Sequence, residues 1–165
     1  MVRGMEADLL PVAREMGMGV IPWSPLNGGW LTGRYRKGSE PPERHRAGMM
    51  GGAMEARTKV EGHEDKLDAA EALAQLAEEH DMSLIHMALA FTLAHPAVTA
   101  PIIGPRTMDH LESQIGAADV TLSKAMLDRI DEIVPPGVTM DPSDISSTAP
   151  AIADPALRRR PEGLA

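Results

Sequence analysis

The chain has 165 residues, of which 43% are hydrophobic and only 2% aromatic. It is long enough for one globular domain with a core of aliphatic side chains and methionine. A formal net charge of −8 argues against a non-specific nucleic-acid binder, and the absence of cysteine excludes disulfides, zinc–thiolate sites and thiol catalysis. Residues 1–10 contain no signal-like apolar stretch, and no window approaches the ~20 apolar residues of a membrane span. We therefore expect a cytoplasmic protein with neither nucleic acid nor a membrane as partner.

The first 33 residues predict a helix, a strand and a loop. Apolar residues at helical spacing predict a helix over residues 6–16, which Gly17 ends. Residues 19–23 are a short apolar run typical of a buried strand. Pro22 belongs near the end of that strand because proline has no N–H to donate to a sheet. A loop follows over residues 24–33.

The middle of the chain predicts a long loop and two helices. Residues 34–62 are basic, rich in glycine and proline, and without periodicity, which is typical of a functional lid or a disordered segment. Residues 64–80 carry alanine and leucine on one helical face. Residues 83–94 predict a second helix with Ser83 as its N-cap.

The last part of the chain predicts a second strand and two more helices. Residues 98–103 are again a short apolar run, and a helix is expected from Thr107 to about residue 117. Ser123 is the expected cap of a helix that runs to about residue 134. From residue 135 onward the sequence is rich in proline, aspartate and serine, so we expect little regular structure there.

The order of these elements predicts an α/β fold that is incomplete. Buried strands separated by helices indicate parallel βα units. Two parallel strands do not make a domain, because a parallel sheet needs several strands and cover on both faces.

Both predicted strands end in a loop suited to phosphate. Residues 24–29, SPLNGG, offer a hydroxyl group and flexible backbone amides. After the second strand, Gly104 allows close approach to the backbone, Arg106 adds a forked cation, and Thr107 opens a helix whose N-terminus favours an anion. In (β/α)8 barrels the recurring phosphate site lies after strands 7 and 8.

Each of these features also has a purely structural explanation. Gly28 and Gly29 are common in ordinary turns, Arg106 is of a type that is usually solvated, and Trp23 at a strand end is often a core residue. The paired arrangement of the two loops favours a ligand. The six histidines are scattered without metal-ligand spacing, and the acidic residues show no catalytic pairing, so we assign no metal site.

Three stretches of sequence carry a family resemblance. Residues 17–26 read GMGVIPWSPL, residues 27–35 read NGGWLTGRY, and residues 101–107 read PIIGPRT. Together they resemble the C-terminal part of the aldo-keto reductases, of the type found in bacterial reductases and potassium-channel β subunits, over about residues 3–134. The resemblance implies a partial (β/α)8 TIM barrel in residues 1–134, containing strands 7 and 8 with flanking helices, followed by a tail over residues 135–165.

The resemblance also implies a nucleotide cofactor, NADP(H). Trp23 would stack on the nicotinamide, the loop after it would hold the pyrophosphate, and Arg44 or Arg46 would help to close a lid. Arg106 and Thr107 would bind the 2′-phosphate. The implied contacts are Trp23, Ser24, Pro25, Leu26, Asn27, Gly28, Arg34, Gly104, Arg106, Thr107, His110 and Gln114.

Two of these positions depart from the family pattern. His110 stands where the family usually has glutamine, and Gln114 stands where it usually has asparagine. Both side chains can still form hydrogen bonds with adenine.

The resemblance assigns no catalytic residue to this chain. The family's catalytic Asp, Tyr, Lys and His lie on earlier strands, and Tyr35 occupies a cofactor-side position instead. We therefore expect a segment that is inactive alone and belongs to an NADPH-dependent reductase of aldehydes or ketones. It would be a truncation, a chain whose start is wrongly assigned, or one half of a split enzyme with a complementary N-terminal chain. The alternatives are a non-enzymatic module that binds the cofactor or docks on a partner, and a product without function.

Overall fold

Helices form the regular secondary structure of residues 1–40, 60–145 and 153–157, which the computed structural model describes. The helices are α1 (Leu9–Glu15), α2 (Glu64–Glu79), α3 (Leu84–Ala94), α4 (Met108–Ile115) and α5 (Lys124–Ile133). Short 3₁₀ turns cover Gly4–Glu6, Asn27–Thr32, Gly116–Asp119, Pro142–Asp144 and Pro155–Leu157. All five predicted helices are confirmed, with ends that differ by at most three residues.

Side-chain caps explain where these helices begin. The hydroxyl groups of Ser83, Thr107 and Ser123 accept hydrogen bonds from backbone N–H groups in the first turn, at 3.1, 3.2 and 3.2 Å. The predicted caps Ser83 and Ser123 are thus confirmed. Helix α1 begins later than predicted, because Asp8 accepts from the first N–H of that helix. At its other end Gly17 has φ +64°, the left-handed conformation that ends a helix.

The two predicted strands lie side by side and run parallel, but they are not regular strands. Isolated parallel bridges join Val20 to Val98 and Trp23 to Ile102. Thr99 N donates to Val20 O at 2.8 Å, and Ile102 N donates to a carbonyl of the first segment at 2.7 Å. No continuous ladder forms within the described part of the chain, so the prediction of two regular strands was too strong.

The short pairing has a physical cause. Pro22 and Pro101 lack the N–H that a ladder needs. Each segment also has only one paired neighbour among the described residues, and the side chains of Ile21 and Ile102 are exposed. A parallel sheet is normally covered on both faces and extended on both sides.

The core lies between α2, α3, α5 and the 3₁₀ turn Asn27–Thr32. Trp30, from that turn, is only 1% exposed and stacks on Tyr35 with ring centres 4.2 Å apart. The apolar face predicted for α2 is confirmed. Its members Ala70, Leu73, Ala74 and Ala77 are buried, and Leu67 packs against the core.

A charged residue shares this buried face. Lys66 is 2% exposed, and its Nζ lies 2.8 Å from Asp144 and 3.7 Å from Asp141. The same Nζ lies 4.8 Å from the centre of the Trp30 ring, a cation–π distance. A buried ammonium group requires such partners because it has lost its hydration.

The segment after α5 packs against the start of the chain. Val2 and Thr139 form an antiparallel bridge, Arg3 N donates to Val138 O at 2.9 Å, and Met140 N donates to Met1 O at 3.1 Å. Within the described residues from 135 onward, secondary structure consists of this bridge, two 3₁₀ turns and one helical residue at position 153. The boundary at residue 134 stays a prediction.

A substitution at Gly29 tests the backbone conformation of the loop that follows residues 20–23. Its φ of +112° is open to glycine only, and a Cβ there would meet nothing within 4 Å. We expect Gly29→Ala to lower the free energy of unfolding by about 1–3 kcal/mol through backbone strain. Urea denaturation measures the change. The matched control is Gly116→Ala at φ −65°, expected to raise stability by about 0.4–1 kcal/mol; equal effects of the two substitutions would contradict this explanation.

A substitution at Lys66 tests how much the buried ion cluster contributes to the stability of the fold. Lys66→Ala leaves the carboxylates of Asp141 and Asp144 without their buried counter-ion, and we expect a loss of about 3–5 kcal/mol in the free energy of unfolding. Lys124→Ala is the control, because its pair with Asp128 is exposed and is worth less than about 1 kcal/mol. A Lys66→Ala effect as small as the control's would show that the buried pairs do not stabilise the fold.

Candidate functional site

The parallel pairing brings two loops to one edge of the molecule. The first loop, residues 24–33, follows the paired Trp23, and the second loop, residues 104–107, follows shortly after its bridge partner Ile102. The carboxyl ends of parallel segments lie at the same edge, where ligands bind in α/β proteins. The two predicted phosphate loops therefore begin next to each other.

The first loop borders a cavity of about 690 Å³. Five residues with an implied role in cofactor binding line it: Trp23, Ser24, Pro25, Asn27 and Gly28. The lining also includes the apolar side chains of Met87 and Phe91 from α3. Trp23 is 56% exposed, so its indole ring is accessible and is not a core residue. Leu26 does not line the cavity but packs against the core.

The backbone of the first loop is left-handed at several positions. Ser24 and Asn27 have φ +57° and +50°, and Gly28 and Gly29 have φ +64° and +112°. Asn27 N donates to Ser24 O at 2.8 Å, and Gly29 N donates to Leu26 O at 3.0 Å. These two amides stabilise turns within the loop, so an anion would be held by the other amides. Gly28 and Gly29 leave open space where a side chain would stand, which allows close approach of a ligand.

The second loop lies outside that cavity, as does Arg34. Gly104, Arg106 and Thr107 are exposed. The hydroxyl oxygen of Thr107 accepts from His110 N at 3.2 Å, and its own proton stays available to a phosphate oxygen. The two predicted adenine contacts differ in access: His110 is half-buried, whereas Gln114 is only 9% exposed.

The structure adds a contact to the first loop that the sequence did not predict. Asn27 Nδ2 donates to Asp144 Oδ2 at 3.0 Å, and Lys66 Nζ donates to Asp144 Oδ1 at 2.8 Å. His63 Nε2 lies 3.0 Å from Asp141, the second carboxylate near Lys66. The cluster joins the first loop, α2 and the Pro142–Asp144 turn. One signal was available: Lys66 is spaced one and two helical turns from Ala70 and Leu73, on the face predicted to be apolar.

The two arginines near the end of the first loop have different roles. Arg34 is exposed and forms no ion pair with the part of the chain that the structure describes. Arg36 binds Glu71 of α2 through Nε and Nη2, both at 2.9 Å. Hydrogen bonds from Arg36 and from the Lys37 N–H lower the pKa of Glu71 from 4.5 to about 2. Arg36 therefore anchors the chain on α2, and Arg34 is the arginine that remains accessible to an anion.

Several other expectations bear on the site. Arg44 and Arg46 lie outside the described residues, with most of the predicted lid. Tyr35 is buried against Trp30 and does not line the cavity.

Among residues 1–40, 60–145 and 153–157, no cluster of three histidine or acidic side chains is placed to hold a metal ion. The helices in those ranges are too short or too polar to cross a membrane.

Comparison with known proteins gives relatives along most of the chain. It is 36% identical to an uncharacterized oxidoreductase of Bacillus subtilis over 133 residues, which are 81% of this chain and 37% of that protein. It is 29% identical to a probable aryl-alcohol dehydrogenase of Saccharomyces cerevisiae over 155 residues, 93% of this chain and 45% of that protein. A probable voltage-gated potassium channel subunit beta of Arabidopsis thaliana is 30% identical over 132 residues, 79% of this chain and 39% of that protein.

The chain thus spans less than half the length of these three curated relatives. The model of the Aldo/keto reductase family matches residues 1–135. Since that match covers most of the chain, the protein belongs to the aldo/keto reductase family.

Proposed function

We propose that this chain is the NADP(H)-binding C-terminal part of an aldo-keto reductase that reduces aldehydes or ketones. Family membership implies a (β/α)8 barrel, and in this proposal residues 19–23 and 98–103 are its strands 7 and 8. The observation that carries the proposal is the parallel bridge between Trp23 and Ile102. It supports the proposal because strands 7 and 8 of such barrels end in the loops that bind phosphate.

The first loop fits the nicotinamide and pyrophosphate part of the cofactor. The exposed indole ring of Trp23 offers a flat apolar face for an aromatic ring, beside the cavity. Gly28 and Gly29 let a ligand approach the backbone without meeting a side chain. Arg34 lies at the end of this loop with an accessible guanidinium group.

The second loop fits the phosphate at the adenosine end. Thr107 caps α4 (Met108–Ile115), and the first N–H groups of a helix attract anions. Arg106 adds a planar cation that matches phosphate in a bidentate way. These groups favour NADP(H) over NAD(H), because only the former carries a 2′-phosphate. His110 is half-buried and Gln114 is only 9% exposed, so His110 is the more accessible of the two implied adenine contacts.

The chain's own residues would bind and orient the cofactor. When bound, NADPH supplies the hydride for reduction of a carbonyl carbon. Trp23 would fix which face of the nicotinamide meets the substrate, and the two loops would fix the position of the phosphates. The proposal assigns no catalytic residue to this chain; the family's catalytic groups, and the rest of the carbonyl site, would come from further barrel strands in a longer polypeptide or a complementary chain. A cytoplasmic location stays a prediction.

A second candidate function is a docking or cofactor-binding module without catalysis. One observation favours it: many large apolar side chains of the described residues are exposed, including Leu9, Val12, Met16, Ile21 and Ile102. Exposed apolar side chains in such numbers are typical of a surface that another protein covers. A potassium-channel β subunit among the relatives is consistent with association.

Cofactor titration tests the proposal. NADPH is added to the full chain while the fluorescence of the nucleotide is followed, and NADH is titrated in the same way in parallel. We expect saturable binding that is tighter for NADPH than for NADH. The variant Arg106→Ala should weaken NADPH binding about tenfold and change the affinity for NADH by less than about twofold. The tenfold figure follows because one charged hydrogen bond to phosphate is worth at least ~1.4 kcal/mol.

The matched control is Arg129→Ala, which removes an exposed arginine of α5 that pairs with Glu132. It is expected to bind both nucleotides as the parent chain does. Absence of NADPH binding up to about millimolar concentration, a range that corresponds to only ~4 kcal/mol of binding free energy, would contradict the proposal.

A further inference from the structure

We infer that Asp144 is a positioning residue that holds the first loop in its ligand-binding conformation through Asn27, with Lys66 as its counter-ion. The inference rests on the proposed function for its ligand, NADP(H), but not for its geometry. It makes the segment after α5 part of the site.

The contacts of Asp144 connect three parts of the chain. Asp144 Oδ2 accepts from Asn27 Nδ2 at 3.0 Å, and Lys66 Nζ lies 2.8 Å from both Oδ1 and Oδ2 of the same carboxylate. The side chains of Lys66 and Asp144 are 2% and 8% exposed. The carboxylate is therefore a shielded bridge between α2 and the first loop.

Asn27 is the residue in the first loop that most needs such support. Its φ is +50°, a conformation that side chains other than glycine seldom adopt, although asparagine tolerates it best. Its Nδ2 must face the carboxylate, because the amide oxygen in that place would be repelled. Its Oδ1 is buried and accepts from no described group. Within the described residues, the bond to Asp144 is thus the hydrogen bond that holds this side chain in place.

The chain on either side of Asn27 is held by other contacts. Trp23 is fixed by the parallel bridge to Ile102, and Trp30 is buried in the core. Asn27 lies between them, next to Gly28 and Gly29. Because two glycines give a loop wide conformational freedom, a tether at Asn27 narrows the conformations that the loop amides adopt.

Asp144 is itself well placed for this role. Asp144 N donates to Asp141 O at 3.0 Å within the Pro142–Asp144 turn, and Asp141 also faces Lys66 and His63. A lone carboxylate beside a pyrophosphate would repel it. The contact with Lys66, which Asp144 shares with the more distant Asp141, offsets part of that charge and so lowers the repulsion of an anionic ligand.

Three variants of the full chain separate positioning from general stability. Asp144→Asn removes the negative charge and one of the two acceptor oxygens, so the amide oxygen that remains cannot serve both Asn27 and Lys66 as the carboxylate does. Asp141→Asn is the matched control, because it changes the same ion cluster without touching Asn27. Asn27→Gly keeps the left-handed backbone accessible and removes the tether together with any contact between the Asn27 side chain and the ligand. Each is measured for NADPH affinity, for thermal stability and for amide hydrogen exchange of the first loop.

The expected result is a selective effect of Asp144→Asn. It weakens NADPH binding by about tenfold, equivalent to ~1.4 kcal/mol, and speeds exchange at residues 24–29. Asp141→Asn lowers thermal stability comparably but leaves affinity and loop exchange unchanged. Asn27→Gly reproduces the Asp144→Asn effect, and the double variant is no weaker than Asn27→Gly alone, as expected for two residues that act through one contact.

Two outcomes would overturn the inference. One is equal affinity and equal loop exchange in the Asp144→Asn and Asp141→Asn variants; the other is additive effects of Asn27→Gly and Asp144→Asn. If the parent chain binds no NADPH, the proposed function fails. Selective loosening of the first loop by Asp144→Asn would still support the positioning role in that case.

Discussion

One buried ammonium group organises the described part of this chain. Lys66 is buried on the apolar face of α2, and its positive charge is compensated by Asp144, Asp141 and the ring of Trp30. Those partners come from segments far apart in sequence. A buried charge is costly unless its partners are in place, so the packing that buries Lys66 also requires the turn after α5 and the end of the first loop to converge on α2. The candidate site is built on this convergence.

A second constraint is the short parallel pairing of residues 20–23 with 98–102. It fixes the starting points of both loops and sets them at one edge, although proline in each segment limits the hydrogen bonds that the pair can form. The pair is poorly covered, as the exposed Ile21 and Ile102 show. The first loop is therefore firmly packed against α2 through Trp30, whereas the paired segments that precede the two loops are held by few contacts.

The sequence predicted the helices well because their signals are local. Caps such as Ser83 and Ser123, the stop at Gly17 and the apolar face of α2 each depend on neighbouring residues, and the structure confirms them. The family resemblance is likewise confirmed by the family match, whereas the site residues that it implies stay a prediction. The contacts of Asp144 could not be predicted, since Asn27 and Lys66 lie 117 and 78 residues away from it in sequence. The strands were overpredicted because an apolar run reports burial but not whether a neighbour is present to pair with it.

The central claim is that the two loops form one nucleotide site. The most direct measurement is the change in backbone amide resonances of the isotopically labelled chain as NADPH is added. We expect the amides of residues 24–29 and of residues 104–110 to shift together and to saturate at the same NADPH concentration, because one molecule spans both loops. Shifts confined to one loop, or midpoints that differ between the loops, would contradict it.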